Sequence, residues 1–158
     1  ERLSPSIWTG ASTLDVLLNH TRNRCSQFHI GFTVQADAVD LRPMKDQDIC
    51  SLFANLLDNA FEAARQVPEG QGWILFKMRK AKEMLFIDLS NPAAAPPRVR
   101  NGALVSRKQD GQLHGLGLNR AAATAREYGG QLTYEYKDGV FTAAVIFLGG
   151  IKGNATKK

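Results

Sequence analysis

Ile49 to Ala64 reads ICSLFANLLDNAFEAA. Laid on a helix, Ile49, Leu52, Phe53, Leu56, Leu57, Ala60, Phe61 and Ala64 recur at the i, i+3, i+4, i+7 spacing that makes one apolar face. That face predicts a core helix in need of a partner layer. On its border stand Asn55, Asn59 and Glu62, which at roughly 100° per residue fall within about 60° of one another. Asn competes with the helical backbone for hydrogen bonds, so two of them at i, i+4 in mid-helix stand there against propensity. Spacing alone leaves two readings open: a solvated polar face, or side chains kept for a ligand.

Around this helix the chain divides by period. Lys45-Asp46-Gln47-Asp48 places acidic residues at its start, and Pro68-Glu69-Gly70-Gln71-Gly72 stops it. Upstream, Ser12 as N-cap and Asp15 as its reciprocal partner predict a capping box, with Leu14, Leu17 and Leu18 giving that helix a core face until about Ser26. Phe28, Ile30, Phe32 and Val34 alternate as a strand. Asp37 to Pro43 is a loop.

Downstream, strands are expected over Trp73 to Arg79 and Met84 to Leu89, joined by a tight turn at Lys80 to Glu83. Asn91 to Leu113 carries Pro92, Pro96, Pro97, Gly102 and Gly111 without a sustained period, so a long loop of the lid or binding kind is expected. A third helix runs from the Gly115 region to Tyr128 and ends at Gly129-Gly130. Leu132, Tyr134 and Tyr136 alternate up to Asp138-Gly139, a hairpin turn, and Val140 to Phe147 returns.

The order α, β, α, β, β, α, β, β predicts an α+β fold. It is a two-layer sandwich, about three helices on one face of a mixed five-stranded sheet. At 158 residues, with 44% hydrophobic and 22% charged residues, one domain is expected. The net charge of +5 is spread along the chain rather than gathered, so nucleic acid is not the expected partner. Cys25 and Cys50 lack metal-ligand or C-x-x-C spacing and read as reduced thiols. No apolar run has the length of a membrane span. The opening at Glu1 suggests a piece of a longer protein whose remainder could hold such spans.

Gly115-Leu116-Gly117-Leu118 at a helix start is a plausible phosphate cradle, because missing β carbons let backbone N–H groups approach an oxyanion at the positive end of the helix. It is not the dinucleotide fingerprint, since Arg120 stands where a third Gly would fall and the segment leaves a loop rather than a strand.

The run N-L-L-D-N-A from Asn55 to Ala60 resembles the N-box of the GHKL superfamily, which includes gyrase, heat-shock-90 chaperone, histidine kinase and mismatch-repair ATPases. With Gly115 to Leu118 downstream across a lid, resembling the G2 box of histidine kinases, it implies a site for ATP and Mg²⁺. The resemblance assigns an Mg²⁺-ligating oxygen to Asn59, assistance or a held water to Asn55, and orientation of a metal-bound water to Glu62, with Ala63 closing the box. Mg²⁺ usually takes one or two protein oxygens and fills its octahedron with water and phosphate. Ser106-Arg107-Lys108 resembles the S-T-K stretch of one branch, which implies Lys108 and His114 as phosphate contacts beside the Gly115 to Leu118 amides.

One motif departs. Where the family carries D-x-G-x-G, this chain has Asn91-Pro92-Ala93-Ala94-Ala95. A neutral Asn91 carbonyl in place of the carboxylate still accepts the adenine amino group, at a loss of about 1 kcal/mol, and the Ala93 and Ala95 methyl groups would push the base outward. Together with T-G-x-x-x-L-D-x-L-L-N at Thr9 to Asn19, this is similar to the catalytic domain of peptide-sensing, quorum-sensing type kinases.

The hydrolytic members' general-base Glu is replaced by Asn55, so the resemblance implies phosphoryl transfer from MgATP to a histidine on a separate helical domain. Residues 1–10 are then a connector from an upstream dimerisation and phosphoacceptor region, 11–148 the catalytic domain and 149–158 a flexible tail. Alone the fragment would be monomeric. The full protein would be a homodimer, cytoplasmic at this domain, membrane-anchored, and signalling to a response regulator in a two-component system. His20 and His29 are not expected as the phosphoacceptor. A degenerate domain that binds nucleotide weakly without catalysis, and a serine kinase of the anti-sigma type, are the alternatives.

Overall fold

The computed structural model describes residues 6–100, 103–105 and 115–153. Its central helix, α2 (Asp46–Arg65), buries all eight of the apolar positions named above. Burying a Leu or Phe side chain contributes about 1.5–3 kcal/mol, so this one face anchors the layer. It lies beside α1 (Ser12–Gln27) and α3 (Gly115–Glu127). All three pack on one five-stranded sheet.

The sheet comprises β1 (Gly31–Ala36), β2 (Trp73–Ala81), β3 (Met84–Pro92), β6 (Gln131–Lys137) and β7 (Val140–Phe147), in the order β1-β2-β3-β7-β6. β1 and β2 are parallel, with Phe32 opposite Ile74, and the other pairs are antiparallel. A parallel pair needs a long crossover, and α2 supplies it. Alternate residues Ile74, Phe76, Met78, Leu85, Ile87, Leu89, Phe141, Ala143, Val145 and Phe147 point into the core. The rings of Phe53 and Phe76, 6.2 Å apart, join the two layers. The expected α+β sandwich is the observed one.

The differences lie at element ends. The helix α1 has Ala11 as N-cap, without a side-chain cap. Asp15 does not reach back to Ser12. Its Oδ1 accepts from the Thr9 N–H at 2.8 Å and the Thr9 hydroxyl at 2.6 Å, while Asn19 accepts from the Ile7 N–H and donates to the Ile7 carbonyl. The segment expected as a connector is thus latched to α1 from Ile7 onward. Thr9, Asp15 and Asn19 are the polar letters of the Thr9 to Asn19 motif, and this latch gives them a structural reason.

β1 starts at Gly31 rather than Phe28 because α1 closes with the paired bonds Ile30 N–H to Cys25 carbonyl and His29 N–H to Ser26 carbonyl. Those bonds hold His29 at φ 56°. The stretch expected as an unbroken loop contains a small hairpin, β4 (Arg98–Arg100) and β5 (Ala103–Val105). The expected flexible tail is held as far as Lys152: its N–H donates to the Tyr128 carbonyl at 2.9 Å, and Ile151 packs on the core.

Candidate functional site

Two of the residues singled out by sequence, Asn55 and Gly117, meet where α2 passes the start of α3. Asn55 is half-buried on the flank of α2 that faces α3, with its side-chain N–H donating to the Ser51 carbonyl one turn back. That bond turns the carboxamide oxygen toward Gly117: a β carbon built on Gly117 would lie 3.2 Å from Asn55 Oδ1. The bare backbone of α3's opening turn therefore lies against the Asn55 oxygen. Asn59, half-buried, follows one turn further along the same flank of α2, and Glu62 and Ala63, also half-buried, continue it.

The first N–H groups of a helix have no intrahelical acceptor and carry its positive end. Gly115, Leu116, Gly117 and Leu118 form that turn of α3. Leu118 is 3% exposed and joins the core, so its side chain is spent on packing and only its backbone is available to a ligand. Oxygens on α2 and N–H groups on α3 at one end of the molecule suit a cation and an anion bound together. Gly117, lacking a side chain, lets the α3 backbone come into contact with Asn55.

Asn91 stands elsewhere on the core side, near the end of β3, opposite Phe141 and 1% exposed. Its side-chain N–H donates to the Pro92 carbonyl at 3.0 Å, leaving the carboxamide oxygen as the acceptor end. The backbone that follows is pinned: the Ala93 N–H donates to the Gly139 carbonyl at 2.9 Å, and the Tyr136 hydroxyl donates to the Ala93 carbonyl at 3.2 Å. Ala93 packs on the core and Ala95 is exposed. Ser106, Arg107, Lys108 and His114 lie outside the described residues.

Sequence reasoning missed a set of polar contacts that runs back from Asn55 along the seam of α2 and α3. Ser51 Oγ and Thr124 Oγ1 are 3.1 Å apart. Beyond them the buried Tyr128 hydroxyl donates to Asp48 Oδ2 and accepts from the Lys45 N–H at 3.4 Å. Burial, and then the bond to Asp48, raises the Tyr128 pKa above its usual 10.0. The signal was present: 48, 51, 55 and 117, 121, 124, 128 are spaced as facing stripes of two packed helices.

Two concavities, of about 530 and 340 Å³, lie away from these residues, one by the start of α1 and the other beneath the last turns of α1 and α2. Among the described residues no three His, Cys, Asp or Glu side chains gather as a metal cluster. No helix among them is long and apolar enough to cross a membrane.

The fold has solved counterparts. The catalytic domain of histidine kinase ThkA superposes with a TM-score of 0.63 at 18% identity, over 87% of this chain and 93% of that one. The Acinetobacter baumannii histidine kinase AdeS gives 0.63 at 13%, over 94% and 69%. ThkA in complex with the response regulator protein TrrA gives 0.61 at 15%, over 90% and 41%. No curated protein sequence matches the chain. The model of the GHKL domain matches residues 44–148, a span that holds α2, α3 and the Asn55–Gly117 contact. The chain belongs to the GHKL domain family.

Proposed function

We propose that this is the ATP-binding catalytic domain of a sensor histidine kinase, which transfers the γ-phosphoryl group of MgATP to a histidine on a separate helical domain. The observation that carries the proposal is the Asn55 carboxamide held against Gly117 in the opening turn of α3. Phosphoryl transfer asks a protein mainly for positioning and charge stabilisation. Bound MgATP supplies the transferable group and a cation that offsets its charge.

In this reading Asn59 holds the metal, Asn55 assists it, and Glu62 orients a metal-bound water beside Ala63. The amides of Gly115 to Leu118, with Lys108 and His114, hold phosphate oxygens. Asn91 accepts from the adenine amino group. An amide at position 55 cannot take a proton from water, which favours transfer to an imidazole, already a nucleophile, over hydrolysis. The partners are the helical phosphoacceptor and dimerisation domain of the same kinase and, downstream, a response regulator of the kind bound by ThkA. The resemblance of the Thr9 to Asn19 motif and of the Asn91 replacement supports placement in the peptide-sensing, quorum-sensing branch, whose kinase domains would work on the cytoplasmic side.

The test is phosphorylation of a dimeric helical substrate domain by this chain and MgATP. Acid-labile phosphate on that domain, lost with Asn59→Ala, is the expected result. No transfer from the wild-type chain, or transfer undiminished in Asn59→Ala, would overturn the proposal. The uncharged Asn91 motivates a second reading, a binding module without catalysis. Calorimetry showing MgADP uptake together with no transfer to any helical domain would favour it.

A further inference from the structure

The seam between α2 and α3 is built of small residues and three polar steps. Ala121 and Ala125 of α3 are fully buried, and apolar packing of such small side chains has no direction along the helix axis. Hydrogen bonds do have direction. Tyr128 to Asp48 and Thr124 to Ser51 are therefore the contacts that set how far along α2 the helix α3 sits. Gly117 on Asn55 is the third step, and Asn59 continues the same stripe of α2 one turn on.

The Tyr128 end is fixed from three sides. The hydroxyl sits between Asp48 and the Lys45 N–H, the ring is 1% exposed, and the carbonyl receives the Lys152 N–H. From Tyr128 to Gly117 is about 16 Å of helix, at roughly 1.5 Å per residue. A slip of one residue at the seam would carry the N–H groups of α3 half a hydrogen-bond length past the carboxamides. An anion held by both helices would feel that slip, whereas a base held near β3 would not.

We propose that Tyr128 and Thr124 are positioning residues of the nucleotide site: they fix the register of α3 on α2 and so hold the phosphate-facing turn against Asn55 and Asn59. This rests on the nucleotide reading given above. It assigns to two buried side chains, about two and three turns from the phosphate-facing end of α3, a part in phosphate affinity separate from their part in stability.

The experiment compares two ligands on the 158-residue chain, MgADP by calorimetry and adenosine by NMR titration. With Tyr128→Phe and Thr124→Val combined, MgADP affinity is expected to fall roughly three- to ten-fold, the size of one lost hydrogen bond. Adenosine affinity is expected to be unchanged. Thr124→Ser, which keeps the hydroxyl, and Asp48→Asn, which keeps an acceptor for Tyr128, should each retain wild-type MgADP affinity. If the double variant is unfolded at the assay temperature, Thr124→Val alone carries the comparison, with an expected loss of two- to three-fold.

MgADP affinity unchanged in the folded variant, or an equal fall for both ligands, would overturn the positioning role and leave the nucleotide reading standing. A wild-type chain that binds neither ligand would overturn both.

Discussion

Gly117 meets the Asn55 carboxamide with nothing between them: a methyl group there would come to 3.2 Å from Oδ1, close enough to make the amide yield by a few tenths of an ångström. Gly117 does not adopt the left-handed backbone that would bar a side chain, so the restriction comes from its neighbour.

Gly117→Ala should therefore move stability and binding apart. Ala is favoured over Gly in a helix by about 0.5–1 kcal/mol, so the melting temperature is expected to hold or rise. The displaced amide should lower MgADP affinity about ten-fold, or 1.4 kcal/mol. Thermal unfolding and calorimetry on the same sample check both halves. Binding equal to wild type would mean that the ligand does not use Asn55.

Each half of this site was legible in the residues themselves, and their meeting at Asn55 and Gly117 followed only from the family resemblance. The stripe from Ile49 to Ala64 and the Asp138-Gly139 turn are fixed by local chemistry, so the period and turn residues predicted them. The turn places Asp138 at φ 52° and Gly139 at φ 78°. The end of α1 escaped because His29, not Gly, takes the left-handed position there. Asp15 was paired with Ser12 because a capping box is the commonest local partner, yet Thr9 had come within reach once the preceding segment folded back. Ser51 and Thr124 carry no local signal and pair only because α3 lies on α2. In each case a contact distant in sequence outranked the local preference.

The latch at Thr9 gives a second prediction. Asp15 is 7% exposed, and its Oδ1 accepts both the N–H and the hydroxyl of Thr9. Asp15→Ala would leave two donors without their acceptor, at about 1–3 kcal/mol. Thr9→Val removes only the hydroxyl bond and should cost about 1 kcal/mol, while Asp15→Asn keeps an acceptor and should fall between wild type and Ala. Urea midpoints rank the three. An Asp15→Ala variant as stable as wild type would show that the segment before α1 contributes nothing.

Arg24 makes two contacts of different worth. Its guanidinium lies 4.0 Å from the centroid of the Phe61 ring and 3.0 Å from Asp58 Oδ1. Asp58 is 62% exposed, and an ion pair that open contributes about 0–1 kcal/mol and is screened by salt. The stack on buried Phe61 shields the arginine and covers apolar surface. Asp58→Ala is expected to change stability by under about 0.5 kcal/mol, and Arg24→Ala by about 1 kcal/mol that molar salt does not erase. Equal losses, both abolished by salt, would assign the contribution to the ion pair instead.

Cys25 sets an alkaline limit. Burial raises its thiol from 9.0 to about 11, with the charge on Arg24 opposing part of the rise. A group that holds its proton more tightly when folded adds stability that is complete below the unfolded value and fades as pH climbs to the folded one. The window is therefore about pH 9 to 11. Tyr128, raised from 10.0, contributes over an overlapping range, so the comparison must keep it constant. Urea unfolding of wild type and Cys25→Ala, at pH 8 and again at pH 10, isolates the thiol: wild type should lose more stability between the two. In native protein at pH 8 the buried, protonated thiol should also resist iodoacetamide until urea opens the core. Parallel losses in the two chains, together with fast alkylation of native Cys25, would place the thiol outside the core that α1 shares with α2.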